Sequence, residues 1–123
     1  MKRVLLIDPN RMTREHLGLQ CLGRDVGVVL AENLAEGVRR LLSVPVDVIV
    51  ADADALRLSL REHVVLFERV APGVPVVVVV RAEASLESRV AFELAGFRVV
   101  ARPVSVEELV EKATMLTPIG GQR

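Results

Sequence analysis

Three apolar runs in this chain each end on a charged residue, and that pattern narrows the fold more than any other feature. Val4-Leu5-Leu6-Ile7 runs into Asp8, Val48-Ile49-Val50-Ala51 into Asp52, and Val99-Val100-Ala101 into Arg102-Pro103. Short continuous apolar runs mark strands covered on both faces, as in a parallel sheet. Ligands of open α/β sheets bind beyond the carboxyl ends of the strands. Two carboxylates and one cation at those ends therefore outline one acidic pocket.

The rest of the chain alternates between strand and helix patterns. The first strand, Arg3 to Ile7, precedes a helix from about Thr13 to Leu22, with Leu17 and Cys21 on one face and Gly23 as its stop. Val26 to Leu30 is a second strand. Asn33 caps a helix to about Leu42 that carries Leu34, Val38, Leu41 and Leu42 on one side, and Pro45 ends it. Asp47 to Ala51 is the third strand, and a third helix spans about Leu58 to Val70. Val76 to Val80 is a β-branched fourth strand suited to a sheet centre. Ser85 caps a fourth helix over Leu86 to Ala95, closed by Gly96. After a short strand at Val99 to Ala101, Ser105-Val106-Glu107-Glu108 forms a capping box for a fifth helix to about Met115. Five strands alternating with five helices predict one α/β domain over 1–117, a parallel sheet between two helical layers. Residues 118–123 read as a flexible tail or truncated linker.

Composition removes several function classes. Sixteen basic and sixteen acidic residues cancel, so no global field draws nucleic acid or an anionic membrane. With no Trp or Tyr and three Phe, a base-stacking surface has no material. The single Cys21 excludes an internal disulfide and fits a reducing, cytoplasmic setting. No apolar run approaches the ~20 residues of a membrane-spanning helix. G-x-G-x-x-G and P-loop patterns are absent, so dinucleotide binding and NTP hydrolysis lack support. His16 and His63 fall on helices away from the acidic strand ends and read as surface residues without metal spacing.

The VLLID strand end, the DVIVAD strand, the Ala95-Gly96 helix stop and Arg102-Pro103, in this order, resemble the receiver domain of two-component response regulators. The resemblance runs from Arg3 to Met115. It implies a flavodoxin-like sheet of order 2-1-3-4-5 and a mechanism in which a sensor histidine kinase or phosphotransfer protein phosphorylates an aspartate. Asp52 matches that phosphoacceptor. Asp8, Asp52 and the carbonyl position at Asp54 match the family's Mg²⁺ site, and Arg102 matches its phosphoryl-contacting Lys. A cis bond before Pro103 would fit the same family. Such domains bind downstream proteins or dimerise through the fourth helix, fifth strand and fifth helix.

The match fails at several switch positions. Pro9 stands where the second acid belongs and offers no side-chain oxygen to a metal. The hydroxyl sensor position falls on Val80 or Arg81, and the aromatic position on Val99. Arg102 replaces a compact ammonium with a broad planar fork. A divalent cation neutralises the like charge of an arriving phosphoryl group, so losing an acid weakens the switch at its centre. The sequence therefore reads as a non-enzymatic pseudo-receiver in phosphorelay signalling, with Mg²⁺ binding weak or absent. The alternative is a phospho-accepting regulator using Asp52 and Mg²⁺; a small flavodoxin-like enzyme comes third.

Overall fold

A computed structural model describes residues 2–116. Five strands, β1 (Lys2–Ile7), β2 (Val26–Ala31), β3 (Val48–Asp52), β4 (Val76–Val80) and β5 (Arg98–Ala101), form one parallel sheet in the order β2-β1-β3-β4-β5. Six helices connect or follow them: α1 (Arg11–Cys21), α2 (Leu34–Ser43), α3 (Ala53–Leu56), α4 (Leu60–Val70), α5 (Leu86–Leu94) and α6 (Val106–Leu116). This is the flavodoxin-like, doubly wound arrangement. The tail expected over 118–123 lies outside the described residues.

Strand alternation sorts the core into two layers. Leu5, Ile7, Ile49, Ala51, Val76, Val78 and Val80 pack with Phe67 of α4, Phe92 of α5 and Phe97. Val4, Leu6, Val48, Val50, Val77 and Val79 pack on the other face with Leu17 and Cys21 of α1 and Leu109 and Val110 of α6. Every residue of β3 and β4 is buried, as their unbroken apolar runs require. Helix α2 sits unusually close to β1. A Cβ built on Gly37 would lie 2.6 Å from Ile7 Cδ1, so only glycine fits without displacing a neighbour.

Four expectations are corrected. The described residues form six helices rather than five, because Asp52 caps a single turn at Ala53–Leu56. That turn ends on Arg57 in the left-handed region, at φ 54°. The next helix begins at Leu60 instead of Leu58, with Ser59 and Glu62 forming a reciprocal capping box. His63, expected on the surface, is fully buried among Phe67, Phe92 and Phe97. It lies on the same stripe of α4 as Phe67, four residues on, and that stripe faces the sheet. Leu42, expected on the inner side of α2, is 74% exposed.

The register brings the carboxyl ends of the central strands level. Ile7 lies opposite Ala51, and Asp52 opposite Val79. From β1 the chain turns outward to β2, whereas β3 lies on its other side. Asp8 and Asp52 therefore emerge together at the point where the winding reverses, which is where such sheets bind ligands.

Candidate functional site at the carboxyl edge of the sheet

Asp8 continues β1, its N–H donating to Ala31 O at 3.0 Å, and its side chain is almost wholly buried. Its Oδ1 accepts the Asn10 N–H at 2.8 Å. Asn10 in turn caps α1 by accepting the N–H groups of Met12 and Thr13 at 2.9 and 3.2 Å. One carboxylate oxygen thus sets the loop that starts the helix. Arg14, in the first turn of α1, reaches back and donates to Asp8 O at 2.8 Å. Pro9 projects outward between these anchors.

Asp52 uses both oxygens. Oδ1 accepts the Asp54 N–H at 3.0 Å and caps α3, while Oδ2 accepts Arg102 Nη2 at 2.7 Å. The same Nη2 lies 3.6 Å from Asp8 Oδ2. One guanidinium nitrogen therefore stands between the two acids, and the sum of those two distances bounds their separation. The Arg102 backbone is anchored where its N–H donates to Val80 O at 2.9 Å. The Arg102–Pro103 peptide is cis.

Electrostatics follow from this arrangement. Burial pushes the Asp8 carboxyl above its ordinary value, and nearby Asp52 pushes the same way. The Asn10 N–H and the Arg102 guanidinium oppose that rise. The pocket is short of positive charge at Asp8, yet the cation it has sits closest to Asp52.

The remaining candidates lie at or beyond the rim. Asp54 is exposed and turns to Arg81, whose Nε lies 3.3 Å from its Oδ2 and 4.0 Å from Glu83 Oε1. Val80 is in the core, and Val99 packs against it from the edge. A cavity of about 480 Å³, lined by Arg81, Ala82, Glu83, Arg102, Pro103 and Val104, opens beside Arg102. Among the described residues, no three His, Cys, Asp or Glu side chains gather closely enough to hold a metal ion. Also among them, no helix is long and apolar enough to cross a membrane.

Sequence reasoning missed Asn10 and Arg14. Asn immediately before Arg11 was a legible cap signal. Nothing in the sequence marks Arg14, because its contact depends on the turn that Asp8 and Asn10 make.

No protein-family profile matches the sequence, and no curated protein matches it. Solved structures do match in shape. The Francisella response regulator 1452 receiver domain superposes with a TM-score of 0.80 at 19% identity, covering 94% of this chain and 96% of that one. A CheY-like response regulator receiver domain protein from Methanospirillum hungatei gives 0.77 at 22% identity, with 94% and 92% covered. A response regulator from Thermotoga maritima gives 0.77 at 20%, with 94% and 96% covered. The strand order and near-complete mutual coverage give one conclusion: the chain has the fold of response regulator receiver domains.

Proposed function

We propose that this chain is a regulatory module of two-component signalling, a pseudo-receiver that works by binding other proteins, with phosphorylation at Asp52 weakened or lost. The observation that carries this reading is Arg102 Nη2, placed 2.7 Å from Asp52 and 3.6 Å from Asp8. A guanidinium there supplies the positive charge that a receiver takes from Mg²⁺. Mg²⁺ demands near-octahedral oxygen donors at about 2.1 Å. Pro9 contributes no side-chain oxygen, the Asp54 carboxylate faces Arg81, and both central acids are engaged. The donor set does not suit the metal, so no step is assigned to it. The module needs no catalytic chemistry of its own, and its composition fits the cytoplasm.

Its binding face has a physical candidate. Leu86, Val90 and Leu94 recur every four residues on α5 and are 76%, 44% and 84% exposed. That stripe lies on the helix–strand–helix face of α5, β5 and α6, suited to a downstream protein or a second copy.

The second reading is a phospho-accepting regulator served by a histidine kinase or phosphotransfer protein. It is favoured by the 38% exposure of the Arg102 side chain, which lets the guanidinium swing away from the acids. Incubation with Mg²⁺ and a small phosphodonor, followed by intact mass, separates the two. The pseudo-receiver reading expects no phosphoryl adduct on the natural chain, and Pro9→Asp to gain Mg²⁺-dependent thermal stabilisation. An adduct on the natural chain that Asp52→Asn abolishes would overturn it in favour of the second.

A further inference from the structure

The two edges of the sheet are built differently. At one end β5 is four residues long, begins on Arg98 and runs into Arg102-Pro103. Short length, charge and proline are the devices that keep an edge from pairing. At the other end β2 is six residues long, Val-Gly-Val-Val-Leu-Ala, without a charge or a proline, and half-buried along most of its length.

The outward-facing groups of β2 can be identified. Ala31 O accepts the Asp8 N–H, so Ala31 turns its backbone toward β1. Backbone direction alternates along a strand, so Val29 and Gly27 also face β1, and Val26, Val28 and Leu30 present N–H and C=O to the outside. None of those outward groups has a hydrogen-bond partner among the described residues. The side chains of the same three residues lie on the α1 side, where Leu22, 78% exposed, flanks a groove of about 270 Å³ along the edge.

We infer that β2 is an interface with a second copy of this chain, paired antiparallel about a two-fold axis through Val28. Two constraints select the register. A two-fold axis normal to the sheet keeps each face on its own side, so Val26, Val28 and Leu30 must meet their own kind. Antiparallel hydrogen-bonded pairs also require residues whose N–H and C=O both point outward, and these are the same three. Val28 then faces Val28, and Val26 faces Leu30. Beyond the strand, Arg24 lies in the turn before β2 and Glu32 in the bend after it, both exposed, so the two-fold brings the basic end of one copy to the acidic end of the other at both flanks. Centring on Val29 would leave Val28 opposite Leu30, twice, as the hydrogen-bonded pairs within the strand, against three pairs when Val28 is the centre. The contact is isologous and closes at two copies. It joins two sheets into one of twice the width, and α5, β5 and α6 remain open at both outer ends for a downstream partner.

Sedimentation velocity of the full chain over a concentration series tests this. The natural chain should show a concentration-dependent dimer. Val28→Pro removes one outward N–H, a change that edge strands tolerate because the ladder to the inner neighbour is untouched, and should give a monomer with an unchanged circular dichroism spectrum. Arg24→Glu and Glu32→Arg should each weaken dimerisation by about tenfold, since each sets like charges against each other at both flanks of the contact, and the double exchange should restore it. These charge variants keep the inference testable even where Val28→Pro does not fold. A natural chain that is monomeric at every concentration, a folded Val28→Pro that still dimerises, or a double exchange as weak as the single variants would each overturn the interface.

Discussion

Arg102 and Asp52 are fifty residues apart in sequence and 2.7 Å apart in space, the guanidinium reaching from the end of β5 past β4 to the acid at the end of β3. The pairing is partly buried: Asp52 is 9% exposed and Asp8, the second acid within reach, 3%. Removing the cation would leave two crowded carboxylates without compensation.

Arg102→Ala should therefore destabilise the fold. Stranding a fully buried charge costs about 3–5 kcal/mol; the exposure of Arg102 lowers the expected loss to about 1–3 kcal/mol. The variant should also melt at a higher temperature as Mg²⁺ is added, while the natural chain responds little. Equal responses to Mg²⁺ in a melting series would show that the guanidinium does not stand in for a metal.

Asp8→Asn should stabilise the protein at neutral pH in the presence of chelator. Burial raises the folded-state value of this carboxyl above its ordinary 3.8, so the native state holds the proton more tightly than the unfolded chain does. Stability is then lost as pH rises from the unfolded value through the folded one, and the penalty is complete above the folded one. Asparagine keeps an oxygen for the Asn10 N–H and removes the charge. Denaturant midpoints of the two proteins should converge as the pH falls toward 3.8. A gap that is constant across this range would assign the effect to packing.

His63 donates from Nδ1 to Ser59 O at 2.8 Å, because a carbonyl can only accept. Its Nε2 is buried with no partner among the described residues, inside a cluster of phenylalanine rings. An unsatisfied buried polar atom costs about 1–3 kcal/mol. His63→Phe, close in shape, should match or exceed the natural stability, whereas His63→Ala should lose about 3 kcal/mol to the cavity. Urea unfolding of both variants checks this, and a strongly destabilised His63→Phe would show that Nε2 is satisfied by water.

Arg57 holds φ 54° at the end of α3, where a Cβ is strained. Arg57→Gly should raise stability by about 1 kcal/mol, read as a shift in melting temperature with unchanged spectra.

Most of the frame was legible because one-dimensional signals determine it. Unbroken valine placed β4 correctly, and Asn33, Ser85 and Ser105 each stand at the helix start that their side chains predict. The acids and Arg102 were legible as strand ends. The turn at Ala53–Leu56 was not, since it depends on Asp52 capping rather than on any periodicity. At His63 position on the helix outweighs residue type: Leu60, His63, Val64 and Phe67 form one helical stripe whose neighbours are apolar. The direct bridge between Arg102 and both acids was beyond reach, because side-chain direction at a strand end is set by the packing of neighbouring strands.

Gly37 has no functional group, yet it governs how the pocket is presented. Its bare Cα lets α2 rest against Ile7, and the residue after Ile7 is Asp8. Any side chain at this position would lift the helix or turn the end of the Ile7 side chain aside, beside the residue that leads into the acid. The fold thus sets a spacer of a single hydrogen between α2 and the strand that delivers its most buried carboxylate, and a larger residue there has to find its room in the Ile7 side chain.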